Sequence, residues 1–408
     1  MNIERGIEDL RGAGSSLTMG STQSGVRLYN ERLVLSLIRR HKELPKAEIA
    51  KLTGLSAQTV SVIVRQMEKE KLLIKGERQR GKVGQPLTPF KLNPDGAFSI
   101  GLKVGRRSGD LMLLDLAGKV RATVRQTYNF PSPKEFLDFA RGGITKLVHV
   151  LPVKLRPRIS GLGVAAPFEL WNWQEEVGAP RDVLEAWRGF DLTGELAKYC
   201  GFPVFPCNDA TAACAAELLF GSGQKARDYA YFYVGYFIGG GLVLNGSLFQ
   251  GRTGNAGALG SILVPRSDSG AEQLIRSASL YRLEQALKKG GKPADFMLDD
   301  SQDWSTLGTL LDEWIARGSQ AIAHAIAAIA SITECSEIII DGAMPAAVRA
   351  RLVDATSAAL TNVNLSGITK FDLREGGIGR DARVLGAASL PLFANFIIDR
   401  DVLFKEAV

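Results

Sequence analysis

The stretch PKAEIAKLTGLSAQTVSVIVRQMEKE, Pro45 to Glu70, reads as two short helices joined by a tight turn. Ala47, Ile49, Ala50 and Leu52 set apolar side chains at helical spacing on the first helix. Gly54 falls where the chain must turn sharply, because glycine enters the left-handed region without steric cost. Ser56 offers its hydroxyl as an N-cap, and Val60, Ile63, Val64 and Met67 form the buried face of the second helix. The groove-facing set at the start of that helix is Ser56, Ala57, Gln58, Thr59 and Ser61, with Arg65 a turn further on. Small and hydrogen-bonding side chains there suit a helix whose N-terminal residues meet base edges in a major groove.

The residues that follow extend the pattern. Leu72-Leu73-Ile74 begins a strand, and ERQRGKVGQP carries Arg78, Arg80 and Lys82 before a second strand, PFKL. That is a β-hairpin with a basic tip, a wing able to lie along phosphates or reach a minor groove. Residues 27–91 hold 15 Lys and Arg against 6 Asp and Glu, whereas residues 92–408 hold 33 against 34. The positive excess therefore belongs to one small module, as expected of a nucleic-acid reader. Residues 27–92 read as a winged helix-turn-helix, preceded by a Gly- and Ser-bearing flexible arm over residues 1–26.

At 408 residues the chain has room for two or three domains. A hydrophobic content of 45% and a charged content of 23% are those of a soluble globular protein. Apolar runs such as AIAHAIAAIASI are too short or too interrupted for a membrane span, so no membrane partner is expected. The N-terminus shows no secretion signal, and Cys200, Cys207, Cys214 and Cys335 lack C-x-x-C spacing. Buried free thiols and a cytoplasmic location are the expectation.

From residue 93 the pattern becomes α/β. Strand-like segments FSIGLKV, LMLLDLA, RISGLGVAA, FPVFPC, YAYFYVG, GGLVLN and SEIIID alternate with helical ones. The helical segments include ATAACAAELLFG, LYRLEQALKKG and a long run from Leu307 to Cys335. Two halves each open on a hairpin, at Phe98 and at Tyr229, which implies two related lobes over residues 93–408 with a cleft between them.

These landmarks carry a resemblance. The winged module, GLGVAAP at Gly161–Pro167, FPVFPCNDATAACAAE at Phe202–Glu217, VGYFIGGGLVLNGSLFQGRTGNAGALGS at Val234–Ser261 and IIIDGAMP near Asp341 occur in the order found in the ROK family of repressors, open reading frames and kinases. The resemblance implies an α/β fold, with an N-terminal winged helix-turn-helix followed by a two-lobed actin-like (ribonuclease H-like) sugar kinase fold. Members with the DNA-binding module are similar to xylose and N-acetylglucosamine repressors. The implied partners are double-stranded DNA at an inverted-repeat operator, a small carbohydrate effector and a second copy of the chain in a homodimer or higher homo-oligomer.

Departures from the kinase pattern shape the expected activity. By the resemblance, the first phosphate loop's aspartate becomes Lys103, and Arg106 and Arg107 follow Gly105. An ammonium is incompatible with holding a hard cation. In the second loop Tyr236 and Phe237 replace small residues whose amides would close on phosphate. The family's zinc-ligating histidine and cysteines have no counterpart, with Ser261 in the histidine's place. No enzyme activity, cofactor or metal is therefore expected. A bifunctional kinase with a DNA-binding arm and a repressor controlled by a protein partner remain as alternatives. Candidate sugar-facing residues are the family's N-D pair Asn208 and Asp209, with Asn255 from the Val234–Ser261 stretch. FELWNW adds Glu169, Trp171 and Trp173, whose carboxylate and ring faces suit a polyol, although packing is equally open to the tryptophans. Glu272 is a further candidate acceptor, and Asn208 also reads as a helix cap.

Overall fold

The computed structural model describes residues 23–78, 87–172, 181–221, 226–266, 270–291, 293–298 and 302–397. The first described helix, α1 (Gln23–His41), includes the end of the expected arm, so the boundary at residue 27 falls within a helix. Strand β1 (Glu43–Leu44), α2 (Lys46–Thr53), α3 (Ala57–Lys69), β2 (Leu73–Lys75) and β3 (Phe90–Leu92) complete the winged module. Its three strands are antiparallel in the order β1-β3-β2, with Leu73 opposite Leu92. Gly54 closes α2 at φ 72, its amide bonded to the Ala50 carbonyl. Val34, Ile38, Ile49, Val60, Val64, Met67 and Leu73 are buried together under this frame. One expectation fails: Ala47 and Leu52 are exposed. Lys46, Ile49, Ala50 and Thr53 make the inward stripe of α2, and a 100° step leaves Ala47 and Leu52 on its two flanks.

The first lobe opens with β4 (Phe98–Val104), β5 (Ser108–Asp115) and β6 (Val120–Thr127), then α4 (Pro133–Val150) and β7 (Ile159–Ala166). It continues with α5 (Leu192–Cys200), β8 (Val204–Asn208) and α6 (Asp209–Phe220). Its sheet runs β6-β5-β4-β7-β8, antiparallel through the first three strands and parallel through the last two.

The second lobe repeats that plan. It contains β9 (Tyr229–Val234), β10 (Ile238–Leu244) and β11 (Ser247–Phe249), a small hairpin of β12 (Leu263–Pro265) and β13 (Ala271–Gln273), then α7 (Leu280–Lys289) and α8 (Thr309–Thr333). Strand β14 (Glu337–Gly342), α9 (Ala346–Leu360) and β15 (Asp372–Glu375) follow. The order β11-β10-β9-β14-β15 mirrors the first lobe strand for strand. Helix α8 is long and apolar enough to cross a membrane, but Leu311, Trp314, Ile322 and Ile326 are buried in the core of this lobe.

The last helix, α10 (Ala382–Phe396), returns to the first lobe and lies against its sheet and α6. Contact is backbone to backbone: a Cβ on Gly163 would stand 1.8 Å from the Ala387 carbonyl oxygen, and one on Gly386 would stand 1.7 Å from that of Ala212. Glycine at these two sites lets α10 bury almost its whole circumference.

Candidate functional site

Two surfaces bear on function. On α3, Ser56 caps the helix, its Oγ accepting the Thr59 amide at 3.0 Å and lying 2.8 Å from the Thr59 hydroxyl. These two side chains are thus engaged in the cap, and Ser61 is only half-exposed on the flank. Ala57, Gln58 and Arg65 are exposed. Arg78 is exposed at the root of the wing, while Arg80 and Lys82 lie outside the described residues.

The second surface is the seam where the two lobes meet. Lys103, at the end of β4, is buried, and its ammonium bonds the Asp110 carboxylate and the Ser108 hydroxyl. Arg125 holds the other oxygen of Asp110 and reaches across to Asp381 at 3.3 Å. Burial pushes the Lys103 ammonium down to about 8, and the nearby Arg383 guanidinium adds to this against the pull of Asp110. Burial acts to raise the Asp110 carboxyl, yet Lys103 and Arg125 outweigh it and hold that group down at about 2. The opposed charges remain ionised at neutral pH. Opposite them, the Arg106 guanidinium lies 3.5 Å from the centre of the Phe237 ring and 5.8 Å from that of Tyr236. The first lobe's loop therefore closes on the second lobe's loop through a cation–π contact.

The N-D pair lies at the start of α6. Asn208 caps the helix, its Oδ1 accepting the amides of Ala210 and Thr211 at 2.9 and 3.2 Å. Asp209 is half-buried and binds Arg383 of α10 at 3.0 Å, and that guanidinium stands 5.0 Å from the centre of the Tyr233 ring. Glu169 is exposed at φ 48 after β7. Trp171 is half-buried and packs against the first lobe's core with Arg188 over its ring at 5.7 Å. Trp173 lies outside the described residues, and Asn255 is half-buried in the loop before Gly257. Glu272 accepts from Ser277 and from Arg317 at 2.7 Å, so it braces the β12–β13 hairpin instead of offering an open acceptor. Asp341 is fully buried and bound by Tyr231, Arg349 and the amides of Gly342 and Gly379. Sequence reasoning missed Arg125 and Arg383. The only signal for Arg383 was a basic residue at the head of a small-residue helix.

The two surfaces are joined by α6 and α10. At their far ends the Leu219 and Ala394 carbonyls accept Arg39 at 3.3 Å and Arg32 at 2.6 Å, both from α1. Burial pushes the Arg39 guanidinium down to about 10. Leu35, Leu92, Phe220, Leu392 and Phe396 line a shallow apolar space at this junction.

Comparison with known proteins places these features. A family model described as the ROK family matches residues 99–392, and one described as the MarR family matches residues 29–82. The chain is 24% identical over 374 residues to the uncharacterized protein y4fQ of Sinorhizobium fredii, spanning 90% of this chain and 91% of that one. To the xylose repressor of Bacillus subtilis it is 26% identical over 271 residues, 65% of this chain and 69% of the relative. The crystal structure of a ROK family transcriptional regulator, a homologue of the E. coli MLC protein, superposes with a TM-score of 0.65 at 19% identity, covering 93% of this chain and 99% of that one. A ROK family glucokinase from Streptomyces griseus, in complex with glucose and AMPPNP, superposes with a TM-score of 0.56 at 19% identity, over 72% of this chain and 99% of the kinase. With the family model covering most of the chain, two lobes of matching strand order and a winged module ahead of them, the chain belongs to the ROK family.

Proposed function

We propose that the chain is a carbohydrate-responsive DNA-binding repressor whose kinase-fold domain senses and does not phosphorylate. The observation that carries this reading is the occupied phosphate site. Lys103 is paired to Asp110 and Arg106 is laid on Phe237, and by the family resemblance these positions correspond to the kinases' two phosphate loops. Those side chains remove the cation site and the open glycine cradle together. What remains is Asp209, a carboxylate acceptor for sugar hydroxyls with no phosphoryl donor to serve.

Coupling to DNA follows from the two helices. Asp209 and Arg383 stand near the N-termini of α6 and α10, and α1 of the winged module is anchored at their C-termini. A hydroxyl that bonds Asp209 competes with Arg383, loosens one helix against the other and shifts α1. Such a response needs only unequal effector affinity for the two arrangements, and a few kcal/mol suffices. A homodimer then places two α3 helices in successive major grooves of an inverted repeat. The relative named a xylose repressor supports a pentose or related sugar as the first class to test. A coupled ATPase assay with a sugar panel checks the absence of transfer. Sugar-dependent turnover above background makes the chain a kinase and defeats the reading.

A further inference from the structure

Val62 occupies the middle of the recognition helix and is 60% exposed. A β-branched residue slightly lowers helix propensity, so nothing in local folding asks for valine at an open helical position. Successive residues are turned by 100°, and Val60, Ile63, Val64 and Met67 point into the core. The opposite direction runs through Gln58, Val62, Arg65 and Lys69, all exposed. Thr59 and Ser56 are engaged in the cap, and Ser61 stands to one side. The stripe facing away from the core is therefore an amide, an apolar branch, a guanidinium and an ammonium, in that order.

Gln58 and Arg65 carry the donors and acceptors that read base edges, whereas valine offers neither. The major groove presents one apolar group, the 5-methyl of thymine. Resting on the DNA-reading role of α3, we infer that Val62 is a specificity determinant that packs on a thymine methyl in each half-site. That thymine lies between the base pairs met by Gln58 and Arg65. Lys69, more than three turns from the helix start, is left for phosphate.

The full chain selects its own sites from a random pool of duplexes, and each thymine of the selected half-site is then replaced by uracil, which removes the methyl alone. Dissociation constants are compared at one fixed salt concentration. One position should lose about three- to five-fold on replacement, the value of one buried methyl. Val62→Ala should bind the thymine site as weakly as the wild type binds the uracil site, and should not distinguish the two. Alanine favours the helix, and an unchanged melting temperature shows that the module is intact. Uracil tolerated at every position by the wild type, or an undiminished uracil penalty in Val62→Ala, overturns the assignment while leaving DNA binding in place. Failure to select any duplex overturns the DNA-reading role, and the assignment with it.

Discussion

The recognition helix and the interlobe seam handle their polar side chains in opposite ways. On α3, Gln58 and Arg65 stand exposed, whereas at the seam Lys103, Asp110, Arg125, Asp209 and Arg383 are bound to one another. The reading helix keeps its donors and acceptors open to a partner, while the seam pairs its charges internally. Stability and function should thus separate between the two regions. Changes at the seam cost folding energy, and changes on α3 cost binding alone.

The largest expected effect is at the seam. Asp110→Ala leaves Lys103 and Arg125 without their shared carboxylate and should lower stability by about 3–5 kcal/mol, measured by urea unfolding of the full chain. A loss below about 1 kcal/mol would erase the contrast. Acid sharpens the same point. The folded Asp110 carboxyl, held at about 2, lies below its ordinary 3.8, so between these values the unfolded chain binds more protons. Its contribution is therefore present above pH 3.8 and lost as pH falls towards 2, about 2 kcal/mol in all. Asp110→Asn should flatten that part of the stability profile.

A subtler change probes the connection between the regions. Arg39→Met keeps apolar bulk but removes the α1 bond to the Leu219 carbonyl. Operator affinity should hold, while the effector's influence on it falls by about 1 kcal/mol, read from binding isotherms with and without effector. An unchanged response would place the coupling elsewhere. The smallest effect on folding belongs to Gln58→Ala, which should alter stability by no more than about 0.5 kcal/mol yet relax sequence preference.

The chain's local chemistry made some of this legible and hid the rest. Gly54 and Ser56 announced the turn and cap because each acts within a few residues of itself. The two opening hairpins were visible as apolar runs. Helix α10 was not, because Ala382, Gly386, Ala387, Ala388 and Ser389 are buried around nearly its whole surface and leave no amphipathic stripe. Strand β6, VRATVRQT, escaped because it is an exposed edge with little apolar content. The seam's ion pairs escaped for another reason. Asp209 and Arg383 are 174 residues apart, and no periodicity links them. Trp171, for which the sequence leaves packing and sugar stacking equally open, packs against the first lobe's core.

Operator binding across a carbohydrate panel, with wild type and Asp209→Asn side by side, tests the central claim most directly. At least one sugar should weaken wild-type operator binding tenfold or more, since coupling between two sites is typically worth about 1–3 kcal/mol. Asp209→Asn should bind the operator as tightly as wild type and fail to respond to that sugar. A wild-type affinity that stays constant across the panel, or an equal response in Asp209→Asn, would contradict the account.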